Sequence, residues 1–373
     1  MYVNEPLHKK KKKKLRWWKI PLILIALVLA VAIIYVAYVF ISYNRIEDNK
    51  EITPQGTAKS AAVKLNTEYT ALTYNIGFGA YTPDFTFFMD GGESSWAKSK
   101  ESVVDCIDGA ANLIKEHKAD FALIQEVDYD STRSYHVDER ARIIAQFPDF
   151  SSAFATNYHS AFLFYPITQP HGASNSGILT LSESTITSAV RRSLPIATDF
   201  KKILDLDRCY TISRIPVENG KELVILNTHT SAYGTDGDLQ TQQMQMMFDD
   251  MKAEYDKGNY VIAGGDWNHD FTGDSKFKLN DAEPEDLESL AWAAEFPAEM
   301  IPDGFSRVMD YKSGVTVPSC RNTDIPYSKD SFVVTLDGFI VSDNIKTSYV
   351  DVIDTGFQYS DHNPVEMRFS LKK

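Results

Sequence analysis

Residues that bind hard metal ions or transfer protons stand at the ends of several short apolar runs of this sequence. They are amide, carboxylate and imidazole side chains: Asn75, Glu126, His229, Asp266, Asn268, Asp337, Asp361 and His362. Taken singly, each is explained at least as well as a cap, a turn residue or a core histidine. Taken together, they supply the oxygen ligands that Mg2+ prefers and two imidazoles for proton transfer. The combination indicates metal-assisted chemistry at a phosphate group, whose developing charge a divalent cation offsets.

Short strands and helices must position these side chains. The apolar runs at 69–74, 121–124, 223–226, 260–263 and 339–341 have the composition of buried strands. Helical spacing of apolar residues is found at Val103, Val104, Ile107, Ala111 and Ile114, and again in a core-packing stripe of Met244, Met247, Phe248, Met251 and Tyr255. This alternation predicts an α/β protein, in which strand ends are the usual place for a site.

Six segments in this order resemble the endonuclease/exonuclease/phosphatase superfamily. The superfamily includes pancreatic deoxyribonuclease, abasic-site endonucleases, neutral sphingomyelinases and inositol polyphosphate 5-phosphatases. The segments are 73–75, 125–127, 227–229, 264–268, 336–339 and 360–364, and the resemblance extends from about Tyr69 to the C-terminus. It implies a catalytic domain at 69–373 with two packed mixed β-sheets flanked by helices, a four-layer α/β sandwich.

The resemblance also implies a metal site. Glu126, with Asn75 nearby, would bind the principal ion, and Asp361 would lie at this metal or at a second one. The implied cofactor is Mg2+, with Mn2+ or Ca2+ as alternatives. Asp266 would orient or deprotonate the attacking water.

The remaining implied roles concern the phosphate. Asn268 would hold it beside Asp266, while His229 would contact it and serve the leaving oxygen. His362 would contact the scissile phosphate, with Asp337 fixing the orientation of its ring. Arg208 lies where some members place a phosphate-binding arginine. The alternative for Arg208, a surface arginine paired with Asp205 or Asp207, is nearly as well supported by the sequence.

The first residues predict a membrane anchor. Residues 1–19 contain a lysine run, and residues 20–41 carry no charge and are long enough to cross a bilayer as a helix. The positive-inside rule predicts a basic cytoplasmic tail at 1–19, a single signal anchor at 20–42 in the plasma membrane, and an extracytoplasmic remainder. A nucleic-acid or nuclear-import patch and a cleaved signal peptide are the weaker alternatives. Polar residues 43–68 are interpreted as a linker.

The uneven distribution of net charge along the chain limits the classes of substrate that the protein would bind. Residues 1–19 contain eight Lys or Arg and one Glu, a net charge of +7, so the other residues have a net charge of −20. An acidic domain repels polyanions, which argues modestly against tight nucleic-acid binding. Three functions therefore stay open: hydrolysis of nucleic-acid phosphodiesters, which ranks first, sphingomyelinase-like hydrolysis of phospholipid headgroups, and a non-catalytic binding module. An inositol phosphatase is less favoured, because no extended basic loop is present.

The sequence has three further features outside the six segments. The aromatic segment 84–89 is expected to be a buried loop, with contact to a bilayer as the alternative. The long insertion at 270–334, which includes Trp292, Phe296 and Phe305, is either a lid over the site or a peripheral helix pair. The three cysteines, Cys106, Cys209 and Cys320, are expected to be small buried side chains rather than a disulfide framework.

Overall fold

The structure is a computed structural model that describes residues 17–196, 207–232, 237–273, 293–312 and 317–373. The chain forms two compact units, Met1–Asn44 and Arg45–Lys373. In the first unit, helix α1 (Lys19–Ser42) has a mean hydropathy of 3.0 and no buried residue. Among the described residues it is the one helix long and apolar enough to cross a membrane. The predicted basic tail lies largely outside the described residues.

The described part of the second unit contains two large β-sheets and one two-stranded sheet. In chain order its strands are β1 (Lys50–Ile52), β2 (Tyr69–Asn75), β3 (Phe121–Asp128), β4 (Ser151–His159), β5 (Asn175–Ser182), β6 (Ser188–Ser193), β7 (Cys209–Pro216), β8 (Glu222–His229), β9 (Tyr260–Asp266), β10 (Phe305–Arg307), β11 (Cys320–Arg321), β12 (Val333–Val334), β13 (Asp337–Ser342), β14 (Ile345–Val352) and β15 (Val365–Leu371). One sheet has the order β1-β6-β7-β8-β9-β13-β10, the other β14-β15-β2-β3-β5-β4, and β11 pairs with β12.

Three helices cover the outer faces of these sheets: α2 (Lys100–Glu116), α3 (Glu139–Ala145) and α4 (Gly237–Asp256). Successive side chains of a strand point to opposite faces. Phe121 and Leu123 of β3 therefore enter the core between the sheets, while Ala122 and Ile124 face α2 and α3. The methionine stripe of α4 packs on the outer face of the seven-stranded sheet. The predicted sandwich of two mixed sheets between helices is confirmed.

Strand pairing brings the predicted site residues to one end of the sandwich. The parallel pair β2 and β3 places Asn75 opposite Gln125, one residue before Glu126. The parallel pair β8 and β9 places His229 opposite Asp266. On its other side, β9 pairs antiparallel with β13 and sets Asp266 opposite Asp337. Each strand extends beyond the apolar run that predicted it, far enough to include the polar residue.

The segment predicted as a linker packs on the sandwich from Arg45 onward. Strand β1 pairs with β6, and Val63 is fully buried in the core between the sheets. The Val63 amide also donates to the carbonyl oxygen of Pro216 at 2.8 Å. The compact unit therefore begins at Arg45 rather than at Tyr69.

The insertion is described only in part, since 274–292, including Trp292, and 313–316 lie outside the described residues. Phe296 and Phe305 pack in the cluster under α4, and β10 extends the edge of the seven-stranded sheet. In the aromatic segment 84–89, Phe85 and Phe87 are buried as expected, whereas Asp84 and Met89 are exposed. Cys106, Cys209 and Cys320 are buried free thiols, as expected.

The packing of 45–68 predicts that fragment 69–373 is less stable than fragment 45–373. Burying a valine contributes about 1.5–3 kcal/mol, and each lost backbone hydrogen bond about 1 kcal/mol more. Thermal and urea unfolding should therefore give a lower midpoint for 69–373, with a loss of about 3 kcal/mol or more. Val63→Ala in the longer fragment should lose part of this amount. Equal midpoints for the two fragments would contradict a structural role for 45–68.

Candidate active site

One cavity of about 330 Å3 gathers most of the predicted site residues. Its lining includes Glu126, Arg208, His229, Asp266, Asn268, Asp361 and His362. The two others, Asn75 and Asp337, lie directly behind this lining and hydrogen-bond to it. The structure therefore brings all nine predicted residues together, although they come from both sheets and from seven separate stretches of the chain.

Two of these residues have a left-handed backbone that only glycine adopts without cost. Glu126 has φ 55° at an irregularity in the β3–β5 ladder, and Asn268 has φ 47° just after β9. Such conformations cost about 1–3 kcal/mol each and persist where the surroundings impose them. At Glu126 the irregularity turns Gln125 inward, where it donates to Asn227 at 2.8 Å, and leaves the glutamate at the cavity.

A single amide bridges two carboxylates of the site. Asn75 Nδ2 donates to Glu126 Oε1 at 3.2 Å and to Asp266 Oδ2 at 3.0 Å. Burial raises the pKa of Glu126 to about 7, and it also raises the pKa of Asp266 and of Asp361. In the described part of the chain, neither Lys nor Arg forms an ion pair with these three carboxylates. A hard divalent cation is the counter-charge that such an oxygen-rich set fits.

The placement of a metal within this set follows from the hydrogen bonds. Asp266, Asp337 and His362 each offer a ligand atom within 4.8 Å of the others and could hold an ion. However, Asp337 Oδ2 already accepts hydrogen bonds from Ser319 at 2.7 Å and from His362 Nδ1 at 2.7 Å. Glu126 and Asp361 each accept one longer hydrogen bond, from Asn75 and Ser360 respectively, both at 3.2 Å. More of their lone pairs are left for an ion, so a metal fits better on their side of the cavity.

The hydrogen bond between Asp337 and His362 fixes the orientation of the imidazole. Asp337 is fully buried, and its hydrogen bond to Nδ1 leaves His362 Nε2 3.8 Å from Asp266 Oδ2. Burial disfavours the imidazolium, yet the neighbouring Cys320 and Asp337 raise the pKa of His362 well above its ordinary value. His362 therefore lines the cavity and is more readily protonated than an ordinary histidine.

The pKa of His229 is shifted in the opposite direction to that of His362. Its Nε2 atom lies 3.5 Å from Asp266 Oδ2 and 4.0 Å from Glu126 Oε1. Burial, followed by the positive charges of Arg208 and His362, lowers the pKa of His229 well below its ordinary value. The pKa values of the two histidines are therefore shifted in opposite directions. Titratable groups whose environments separate their pKa values in this way are suited to distinct acid and base roles.

Arg208 is buried and lines the cavity, whereas its neighbour Asp207 binds other groups. Asp207 accepts from Arg45 Nε at 3.2 Å and from the Ile46 amide at 2.7 Å, and it lies 3.3 Å from Arg191. Asp205, the other partner considered from the sequence, lies outside the described residues. The burial of Arg208 agrees with a role inside the cavity rather than on the surface.

Three residues of the site were not anticipated from the sequence. Ser319 holds Asp337, as described above. Arg133 forms a two-point ion pair with Asp128 and stacks 3.7 Å from the Phe78 ring centroid. Arg321 is buried in the cavity wall and donates to the carbonyl oxygens of Thr82 and Phe85 at 3.0 and 3.4 Å. None of the three stands at the end of an apolar run, so no local pattern marks them.

Comparison with known proteins places these features in a family context. Residues 72–362 match the Endonuclease/Exonuclease/phosphatase family. Similar solved structures include an endonuclease/exonuclease/phosphatase from Beutenbergia cavernae DSM 12333 (16% identity, TM-score 0.53, 82% of this chain and 72% of that chain). They also include ANGEL2, a 2',3'-cyclic phosphatase, with adenosine-2',3'-vanadate (14%, 0.52, 87% and 99%), and D. rerio TDP2 with a single-strand DNA product (12%, 0.51, 82% and 100%). No curated protein sequence matches the chain.

The raised pKa of Glu126 predicts pH-dependent metal binding. Below about pH 7 this carboxyl group holds a proton that a cation must displace, so affinity falls as pH falls. Calorimetric titration with Mn2+ should give a dissociation constant about tenfold weaker at pH 6 than at pH 8. Glu126→Gln should bind weakly at both pH values, whereas Asp330→Asn, which alters an exposed carboxylate, should behave like the parent. A parent affinity that does not change with pH would refute this assignment.

Proposed function

The chain belongs to the endonuclease/exonuclease/phosphatase family, and from this premise we propose that its cavity hydrolyses phosphodiester bonds with a divalent metal ion. The observation that carries the proposal is the meeting of two features in a single cavity: carboxylates that pair with no described Lys or Arg, and two histidines whose pKa values are shifted in opposite directions. Family and fold support phosphoester hydrolysis in general. The metal, the substrate and the roles of individual residues are our proposals.

Glu126 and Asp361 would hold the ion, with Asn75 orienting the glutamate. We propose Mg2+ as the ion, with Mn2+ or Ca2+ as alternatives, because the donors are carboxylate oxygens. When bound, the cation polarises a phosphoryl oxygen and offsets the charge that develops on it. Asn75 serves both sides of the site, since its amide also holds Asp266.

Asp266 is the group best placed to act on water. Its Oδ1 atom accepts the Asn268 amide at 2.9 Å, and its Oδ2 atom accepts from Asn75 at 3.0 Å. These bonds fix the carboxylate, which then orients or deprotonates the attacking water. Its raised pKa suits proton acceptance, because a more basic carboxylate is a better proton acceptor. Asn268, whose own side chain is held by the Thr230 carbonyl at 2.8 Å, supports the phosphate beside it.

The phosphate itself meets the cationic side of the cavity. The imidazolium of His362, oriented by Asp337, donates from Nε2 to a phosphate oxygen, and the guanidinium of Arg208 adds a second positive charge. Neutral His229 contacts the same phosphate and forms a hydrogen bond with the leaving oxygen. These contacts stabilise negative charge inside a buried site, where such interactions are stronger than in water.

Nucleic acid is the substrate class that the comparisons favour. The ANGEL2 and TDP2 structures contain an adenosine 2',3'-vanadate and a single-strand DNA product, respectively. A cavity of about 330 Å3 admits one phosphodiester with a flanking group. The net charge of −20 on residues 20–373 opposes long polyanions. We therefore propose strand ends or short strands rather than duplex DNA.

Phospholipid headgroups form the second candidate. Helix α1 is suited to crossing a membrane, and Phe78, Tyr81 and Phe87 give the cavity an apolar wall. A membrane anchor raises the effective concentration of a membrane substrate. We propose a single-span protein of the plasma membrane with its N-terminus in the cytoplasm and the catalytic unit outside. The binding-module alternative has less support, because every predicted site residue lies at the cavity.

A substrate panel tests the proposed reaction. Metal-stripped fragment 45–373 is incubated with single-stranded DNA, RNA, duplex DNA and choline phospholipids, with Mg2+ or EDTA. One class should be cleaved only with metal, and Asp266→Asn and His362→Gln should each lower kcat by about 10²–10⁴. Asp249→Asn, an exposed change on α4, is the matched control. Full activity in EDTA or in Asp266→Asn would defeat the proposal.

The proposed topology has a separate test. Protease added to intact cells should digest residues 45–373 and leave an N-terminal tag on the cytoplasmic side protected, because the lysine run stays inside. Detergent permeabilisation should then expose the tag. Protection of the large unit in intact cells would reverse the proposed orientation.

A further inference from the structure

In the described part of the large unit, the large exposed apolar side chains are confined to one region. Among the described residues beyond α1, six large apolar side chains are exposed, from 38% for Tyr327 to 87% for Ile167; they are Met89, Phe164, Tyr165, Ile167, Ile325 and Tyr327. They belong to three loops, 82–91, 160–172 and 322–331, which we name the apolar rim. Single exposed apolar residues are ordinary, whereas a cluster of them marks an interaction surface.

The three loops of the apolar rim contact one another beside the cavity. The Phe87 amide donates to the Thr323 carbonyl at 2.9 Å, and the Tyr327 amide to the Pro83 carbonyl at 2.7 Å. The Phe88 and Tyr165 rings lie 5.9 Å apart. Met89, which is exposed, also lines the cavity, as do Phe87 and His171. The apolar rim therefore borders the opening through which a substrate reaches the site.

The chain joins the large unit at this same end. Arg45 Nη2 donates to the Leu194 carbonyl at 2.9 Å, and the Ile46 amide donates to Asp207 at 2.7 Å. Both partners lie where β6 ends and β7 begins, because Ser193 pairs with Cys209. Strand β8 ends at the site with His229, and its Thr228 pairs with Tyr210 of β7. The first residues of the unit are thus fixed at the cavity end of the sandwich.

Little chain separates this point from the apolar helix. Helix α1 ends at Ser42, and the compact unit begins at Arg45. The two residues between them, Tyr43 and Asn44, span roughly 7 Å when fully extended. If α1 crosses a bilayer, the length of this connection therefore keeps Arg45 near the lipid surface.

We infer that the apolar rim rests on the surface of the bilayer that α1 crosses, so that the site takes its phosphodiester at the level of the lipid headgroups. The inference rests on the proposed anchoring. Burial of Phe164, Tyr165 and Ile167 in the interface supplies the contact, as for other interfacial aromatic and aliphatic side chains. The net charge of −20 repels anionic lipids, so the contact depends on apolar burial and is insensitive to salt.

Fluorescence quenching by spin-labelled phosphatidylcholine tests this contact in the full chain. The native cysteines are buried, so Ile167→Cys and Lys346→Cys each provide one accessible thiol for an environment-sensitive fluorophore. Lys346 is exposed near the end of the sandwich opposite the site. In phosphatidylcholine liposomes, the label at 167 should be quenched several-fold more strongly than the label at 346, at low and high salt alike. Adding Phe164→Ser and Tyr165→Ser should reduce quenching at 167 to the level at 346.

Flotation of the same liposomes separates the possible failures. A chain that does not float lacks the proposed anchor, and this result also overturns the inference that the apolar rim contacts the bilayer. A chain that floats but shows equal quenching at 167 and 346 keeps its anchor and overturns the rim contact. A label at 167 that responds to added unlabelled protein but not to spin-labelled lipid also overturns it, in favour of a second copy. Hydrolysis is not measured, so failure of the catalytic proposal remains a separate result.

Discussion

Keeping several carboxylates close together away from water is the constraint on which the rest of this structure depends. Burial opposes their ionisation and raises the pKa values of Glu126, Asp266 and Asp361. The site meets this constraint with amide hydrogen bonds from Asn75 and Asn268 and with backbone conformations that only a rigid sandwich can hold. The remaining imbalance of charge is what a divalent cation and the cationic side of the cavity would relieve.

Strand β9 organises this arrangement. It ends at Asp266, and its two neighbours in the sheet deliver His229 on one side and Asp337 on the other. The facing sheet contributes Asn75 and Glu126 from its own parallel pair. The site therefore lies where the ends of two packed sheets meet, and the three buried clusters that fix the sheets and helices also fix the distances between the reacting groups.

Much of this could be predicted from the sequence, because strand ends leave a local pattern. Apolar runs followed by Asn75, Glu126, His229 or Asp266 indicated both the fold and the site. The packing of 45–68 left no such pattern: its polar residues pair mainly through the backbone, and Val63 alone is fully buried. The roles of Arg321 and Ser319 depend on contacts between distant segments. The opposite pKa shifts of the two histidines depend on burial and neighbouring charges, which residue types alone do not specify.

The central claim is that the buried carboxylates form the metal site of a phosphodiesterase. Crystals of fragment 45–373 grown with Mn2+ test it most directly, because anomalous scattering locates the ion without reference to any substrate. The expected result is a peak at coordination distance, about 2.0–2.6 Å, from carboxylate oxygens of Glu126 and Asp361, with Asp337 still bonded to His362. A cavity without an anomalous peak at saturating Mn2+, or an ion bound only elsewhere on the unit, would contradict the claim.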